Sequence, residues 1–360
     1  MDRMEQDLTQ RMMLATWLVE FYLSKCNELD DIIASRSISE DVENLQAERV
    51  ILEEEIRHFF VTYKVWDTLL RWVLSLTLFP QANLDPTTMY ELIQGHGRTD
   101  LFLHYATTIG DFERVVEHWI LEEEWGKAID IINRQVNVSQ KDELQGSNVS
   151  PFKSDLELYY RFGPVLMRNA SKETVDSWLR RPELDPLRLV PSLLQLQHAP
   201  RDPLVPNQAL RYLNHVIEQG DTSSTLHNLA ITFHTSVPTA SSPEDDVKLL
   251  RFLSTAPVDP LTQKPYYDLD YALRLCKQTG RIQPCVHIYS KMGLFENSVD
   301  LALEKNDLEL AKINADMPQD DIPLRKKLWL KIARYVVQEK QDIKTSVFPF
   351  QTQTSFLLTG

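Results

Sequence analysis

One helical stretch occurs twice in this chain. LFLHYATTIGDFERVVEHWILEEEWGKAIDII runs from Leu101 to Ile132, and YALRLCKQTGRIQPCVHIYSKMGLFENSVDLA runs from Tyr271 to Ala302. A shift of 170 positions brings Leu103 onto Leu273, Ala106 onto Cys276, Val116 onto Val286, Trp119 onto Tyr289, Trp125 onto Phe295 and Ile129 onto Val299. In each copy the turn glycine, Gly110 or Gly280, precedes the aromatic, Trp125 or Phe295, by 15 residues. Repeated helix pairs cannot bury their apolar faces alone. They stack, and stacked arrays mostly hold partners rather than do chemistry. The expected fold is therefore all-α, an α-solenoid of stacked helical hairpins. These paired positions and Trp329 form its repeat core, and the same register expects Leu294 to be buried.

Composition agrees. Ten glycines in 360 residues suit helices better than turn-rich β folds. Hydrophobic content of 43% with 25% charged residues is that of a folded soluble protein. A net charge of −14 argues against a duplex-binding protein, because neutralising phosphates needs a basic face. Arg325, Lys326 and Lys327 form one local basic run, read as a solvated helix face. The three cysteines, Cys26, Cys276 and Cys285, have no paired short spacing and form no disulfide framework. A reducing compartment fits them, and the sequons at Asn137, Asn148 and Asn169 then carry no meaning. The first residues include Asp2, Arg3, Glu5 and Asp7, unlike a signal peptide. The apolar stretch 65–79 contains Asp67 and Arg71 and is too short to span a bilayer.

Apolar spacing predicts a first helix from Leu8 to about Cys26, through Leu14, Trp17, Leu18, Phe21 and Tyr22. A second covers 40–63, with Glu53, Glu54 and Glu55 as exposed surface. Asp85-Pro86-Thr87 starts a third and Gly95-His96-Gly97 stops it. Three helices follow between 101 and 135, with Gly110-Asp111 as a stop and an N-cap. Residues 136–153 and 235–243 read as loops, and 198–206 as a proline bend. Short helices fill 156–196, 209–219, 225–233 and 244–253. The clearest repeat then returns from Asp268 to Met317, and a last helix spans 321–338.

Nothing in the chain spells a catalytic, cofactor or metal site. Cys276, Cys285 and His287 are one loose group, where structural zinc wants two tight ligand pairs, so the cysteines read as core. Gly95-His96-Gly97 lacks the strand and lysine of a phosphate cradle. There is no Gly-x-Ser-x-Gly elbow. His118 reads as a structural histidine, and Asp245-Asp246 and Asp320-Asp321 as N-cap and dipole-matching charges. The recurring aromatics read as inter-repeat core, with one or two as anchors for another helix in the sharper alternative.

The segments DLDYALRLCKQTGRIQPCVHIYSKMGLFENSVDLAL, LRKKLWLKIARYVVQ, LATWLVEFYLSKCNELDD, FFVTYK, YELIQGHGRTDLFLHYATTIGDFERVVEHWI and HNLAITFHTS closely resemble the eighteenth vacuolar protein sorting subunit, the Pep3 or deep-orange family. The similarity runs from about residue 8 to about residue 344, and the repeats are similar to those of the clathrin heavy chain leg. The resemblance implies a core subunit of HOPS- and CORVET-type tethers, peripheral on late endosomes and the vacuole or lysosome. It implies other tether subunits and a Sec1-type SNARE regulator as partners, with small GTPases and SNAREs reached indirectly. It implies neither nucleic acid, nor cofactor, nor enzyme activity. The family's preceding β-propeller and following RING domain do not occur in these residues. A coat-like or nuclear-pore-like scaffold is the alternative from the repeats alone, and a ligase the alternative were the RING restored.

On this reading residues 1–345 are solenoid. Two segments depart from the resemblance. Residues 65–82 interrupt a stretch that is more direct in relatives, and 346–360 look unlike the expected helices. Both are read as intron sequence carried into the chain. The first is expected to pack poorly and the tail to be disordered or aberrant.

Overall fold

The first 79 residues contain neither glycine nor proline, so nothing in them breaks a helix. In the computed structural model, which describes residues 2–35, 40–74, 85–143, 152–197, 205–236 and 243–340, they form two long helices, α1 (Asp2–Ser35) and α2 (Glu40–Leu74). Both run past the ends expected from apolar spacing. Shorter helices follow: α3 (Pro86–Gly95), α4 (Thr99–Ile109), α5 (Phe112–Leu121) and α6 (Trp125–Glu143). Next come α7 (Phe152–Asn169), α8 (Ser171–Trp178) and α9 (Val190–Leu193), the last flanked by 3-10 turns. Then come α10 (Gln208–Glu218), α11 (Ser224–Thr235), α12 (Pro243–Thr255), α13 (Leu269–Gln278) and α14 (Ile282–Lys291). The series ends with α15 (Phe295–Glu304), α16 (Leu308–Asp316) and α17 (Ile322–Tyr335), continued by a π-turn Val336–Lys340. Extended pairing among the described residues is limited to one bridge, Val258 with Pro265. The all-α expectation stands.

One loop expectation, 136–153, needs correcting. Residues 136–143 continue α6, and Phe152 and Lys153 begin α7. Polarity suggested a loop there, yet no glycine or proline lies between Gly126 and Gly146, and polarity alone does not end a helix. Most of the 198–206 bend and of the 235–243 loop lies outside the described residues. So do 75–82 of the suspected insert and the whole tail 346–360, whereas the backbone of 65–74 continues α2.

The short helices share one turn. Six of the eight described residues with left-handed backbone fall in two runs, Gly97, Gly110 and Glu123, and Gly280, Gly293 and Asn306, spaced 13 apart within each run; Gly220 and Gln263 lie outside them. At each of these six, two hydrogen bonds close the helix end. Gly110 N–H reaches Thr107 O at 3.2 Å and Asp111 N–H reaches Ala106 O at 2.9 Å; Gly280 N–H reaches Lys277 O at 3.1 Å and Arg281 N–H reaches Cys276 O at 2.9 Å. Glu123 and Gly293, also 170 apart, repeat the pattern onto Ile120 and Trp119, and onto Ser290 and Tyr289. This is the Schellman closure, which satisfies carbonyls that a helix end would orphan. The next helix is often capped by an aspartate. Asp85, Asp111, Asp268, Asp307 and Asp321 each accept an N–H of the first turn that follows. About ten residues of helix and three of turn make one repeating step.

The chain divides into two compact bodies, Met1–Leu158 and Tyr159–Gly360. In the first, α1 pairs with α2, α2 packs on α4, and α3 to α6 follow one another. Its core gathers Val19, Leu23 and Cys26 of α1, Ile56 and Phe60 of α2, and Met89, Ile93, Tyr105 and Ala106. In the second, most helices from α10 on pack against the next, and α11 with α13, α12 with α14 and α15 with α17 pack one further along. That pattern is hairpin stacked on hairpin.

Candidate interaction surface

The repeat positions fall into three kinds. Ala106, Val116, Ile129, Leu273, Cys276, Val286, Tyr289 and Val299 are buried. Leu103, Trp119, Trp125, Phe295 and Trp329 are half-buried, the first two packed against the core of the first body. Gly110 and Gly280 are exposed turn residues, with φ of 86° and 69°. Leu294 contradicts the expectation at 42% exposure. It follows the left-handed Gly293 and occupies the N-cap of α15, where its counterpart 170 residues earlier is Glu124. The aromatics are tied by polar partners as well as by packing. Lys127 Nζ lies 4.4 Å from the Trp119 ring centre, Lys277 Nζ 5.1 Å from that of Tyr289, and Trp329 Nε1 donates to Asp316 at 2.8 Å.

Several charges and histidines sit where the sequence did not place them. Glu53, read as surface, is mostly buried in a clasp: Arg98, between α3 and α4, reaches Glu53, Asp30 and Asn27 and so joins α1, α2 and α4. Asp30 is held below the usual carboxylate range by hydrogen bonds from Arg49 and Arg98, which outweigh the opposing effect of burial. Asp246, read as a capping charge, instead pairs with Arg281, whose side chain is only 3% exposed. Ser290 and Ser298 both donate to Asn314 Oδ1, and Asn314 Nδ2 donates to Leu310 O at 2.7 Å, which knits α14, α15 and α16. His118 packs its ring on Phe102 and Trp119.

Cys276 and Cys285 bring their thiols together inside the second body. The Cys285 thiol and then burial push the Cys276 pKa upward, which makes it unreactive. His287 does not join them. It turns to the Leu253 backbone, and burial lowers its pKa. Among the described residues no group of three or more His, Cys, Asp or Glu could hold a metal ion. No described helix is long and apolar enough to cross a membrane.

Several helices also present apolar residues outward, α1 most densely. On α1 the face toward the core is Ala15, Val19, Leu23 and Cys26. The opposite face carries Met13, Leu14, Trp17, Leu18 and Phe21, exposed by 40 to 66%. These are most of the residues whose spacing predicted the helix, and they lie outside the core. Contiguous apolar surface of this kind marks binding sites more often than scattered single residues do. On α17, Ile322 and Leu330 stand outward at 53 and 55% exposure, alternating with Lys326 and Arg334, and Val337 follows in the π-turn at 48%. The elements are those of a scaffold: rigid short helices, and outward faces that another helix can cover.

Residues 1–111 match the family model for the first half of the VPS18 alpha-solenoid domain, and residues 112–337 the model for its second half. The chain is 33% identical over 341 residues to a vacuolar protein sorting-associated protein 18 homolog of Danio rerio. It is 31% identical over 345 residues to vacuolar sorting protein 18 of Arabidopsis thaliana. It is 27% identical over 339 residues to vacuolar membrane protein pep3 of Schizosaccharomyces pombe. Each alignment covers 94% of this chain but only 30 to 32% of the relative, so the chain spans about a third of the length of the curated relatives it matches. Both halves of one solenoid description, matched over residues 1–337 of an all-α chain, place it in the VPS18 alpha-solenoid family.

Proposed function

We propose that this chain is the scaffold segment of a HOPS- or CORVET-type tether, a non-enzymatic arm that acts in vesicle transport and fusion at the late endosome and vacuole or lysosome. Its partners are the other solenoid and propeller subunits and the Sec1-type SNARE regulator; small GTPases and SNAREs are reached through them. The arm is peripheral to the membrane. The observation that carries this reading is the outward face of α1. A helix apolar on both sides needs a second protein surface, and Trp17 and Phe21 are the large aromatics that dominate binding energy at interfaces. Repeat stacking supplies the rigidity that lets such a face hold its position.

Co-purification with the core tether subunits, read by size-exclusion chromatography, tests the proposal. The chain should co-elute, and Trp17→Ala with Phe21→Ala should weaken co-elution while leaving its helicity intact. Elution of the unmutated chain alone, as a folded helical monomer, refutes it.

A further inference from the structure

The basic run of α17 divides between two faces of the helix. Lys327 and Lys331, four residues apart, reach across the surface to α15 and meet Glu296 at 2.7 Å and Asp300 at 2.5 Å, themselves four residues apart. Between those carboxylates α15 supplies Val299, fully buried, while α17 supplies Leu328 and Ile332. The two helices therefore show what a basic and apolar face of α17 accepts: a helix with carboxylates at i and i+4 and an apolar residue between them.

The outward face repeats the same lettering. Ile322, Lys326, Leu330 and Arg334 follow one another at helical spacing, Val337 comes just beyond in the π-turn, and all are exposed. Neither Lys326 nor Arg334 has an ion pair among the described residues. The helix itself contains no acidic residue, in a chain whose net charge is −14. Two unpaired cations on so acidic a chain favour an anionic partner, and three aliphatic side chains interleaved with them favour a partner that is also apolar. A lipid surface fits less well. Membrane-lying helices carry a broad apolar face with aromatic residues, and here the helix's tryptophan, Trp329, is half-buried and bound to Asp316.

We infer that the face of α17 running from Ile322 to Arg334 is a docking site for an acidic amphipathic helix of another subunit, one that presents carboxylates four residues apart beside apolar residues as α15 does on the neighbouring flank. This rests on the scaffold reading and names the chemistry of one partner.

Carbodiimide coupling tests it, since it joins an amine only to a carboxylate in direct contact. The full-length protein is treated in complex with its co-purified subunits. Lys327–Glu296 and Lys331–Asp300 serve as internal controls. Lys326 should couple to an aspartate or glutamate of another subunit, with a second carboxylate four residues away in a helical segment. Lys326→Glu with Arg334→Glu should weaken the complex about tenfold or more, with unchanged thermal melting, and lysine at the identified partner carboxylates should restore it. Control couplings with Lys326 joined only to its own chain overturn the inference, as does unchanged affinity of the double variant. Loss of binding to phosphatidylserine vesicles with the complex unaffected would assign the face to a membrane instead. If the unmutated protein elutes alone, the scaffold reading itself fails and this one with it.

Discussion

Alanine placed at two glycines of α4–α6, both with open space around them, should move local stability in opposite directions. Gly110 has φ of 86° and ψ of 20°, and a Cβ there would meet nothing within 4 Å. Gly110→Ala therefore creates no clash. Its cost is the left-handed backbone, about 1–2 kcal/mol for an L-residue. The stiffer unfolded chain returns about 0.4–1 kcal/mol, which leaves a loss of about 1 kcal/mol. Gly126 is equally open but sits in the first turn of α6 with no left-handed φ, so Gly126→Ala should gain about 0.5–1 kcal/mol. Glu123 tests the reverse. It holds the same turn conformation at φ 58° with a side chain, and Glu123→Gly should stabilise by about 1 kcal/mol or slightly less. Two compact bodies make a single global unfolding energy ill-defined, so amide hydrogen exchange of α5 and α6 is the better assay. Protection should fall about fivefold in Gly110→Ala and rise by up to about fivefold in the other two variants. Equal effects of the two alanines, or lowered protection in Glu123→Gly, would refute the turn argument.

Val299→Asp should unfold its repeat locally, because the charge would sit unpaired in a fully buried site, whereas Leu294→Asp at an exposed N-cap should leave thermal melting nearly unchanged; equal losses would contradict the packing. Asp246→Ala should cost about 1.5–3 kcal/mol, since it removes a charged hydrogen bond from the buried Arg281, and amide hydrogen exchange of α12 to α14 should show it; a change below about 0.5 kcal/mol would show the pair to be dispensable. Burial raises the Tyr105 and Tyr267 pKa values to about 12. Between the ordinary tyrosine pKa of about 10 and that value the unfolded chain binds fewer protons than the folded one, so stability should fall as pH rises through this window, followed by circular dichroism. His287 works in the other direction. Its lowered pKa means the unfolded chain takes up more protons below about pH 6.5, so stability is lost as pH falls, and a His287→Gln variant should flatten that slope.

The helices and their turns were legible because turns leave letters. Gly110-Asp111 in the sequence is the left-handed residue and N-cap of the structure, and Asp321 caps α17 as its position suggested. The turns at Glu123 and Asn306 were less legible, since neither is glycine and their conformation is imposed by the helices on either side. Periodicity also shows that a helix has an apolar face without showing which face is inside. For α1 it selected Leu14, Trp17, Leu18 and Phe21, while the core took Ala15, Val19, Leu23 and Cys26. A helix apolar on two sides yields that ambiguity, and only the neighbours resolve it. The Arg98 clasp was unreadable because its members are spread over residues 27 to 98, and charges so far apart in sequence carry no local pattern.

The 13-residue step also limits how the length of such a chain can change. One residue added inside a step turns everything beyond it by about 100°, carrying buried residues toward solvent, and moves the left-handed position off its glycine. Removing 26 residues, two helices and two turns, returns the chain to the same face and the same direction. The two copies lie 170 apart, which is not a whole number of such helix pairs, and α7 to α12 between them depart from the period. Length variation in this family is therefore expected to come as whole hairpins, or to gather in the irregular connections between runs of steps.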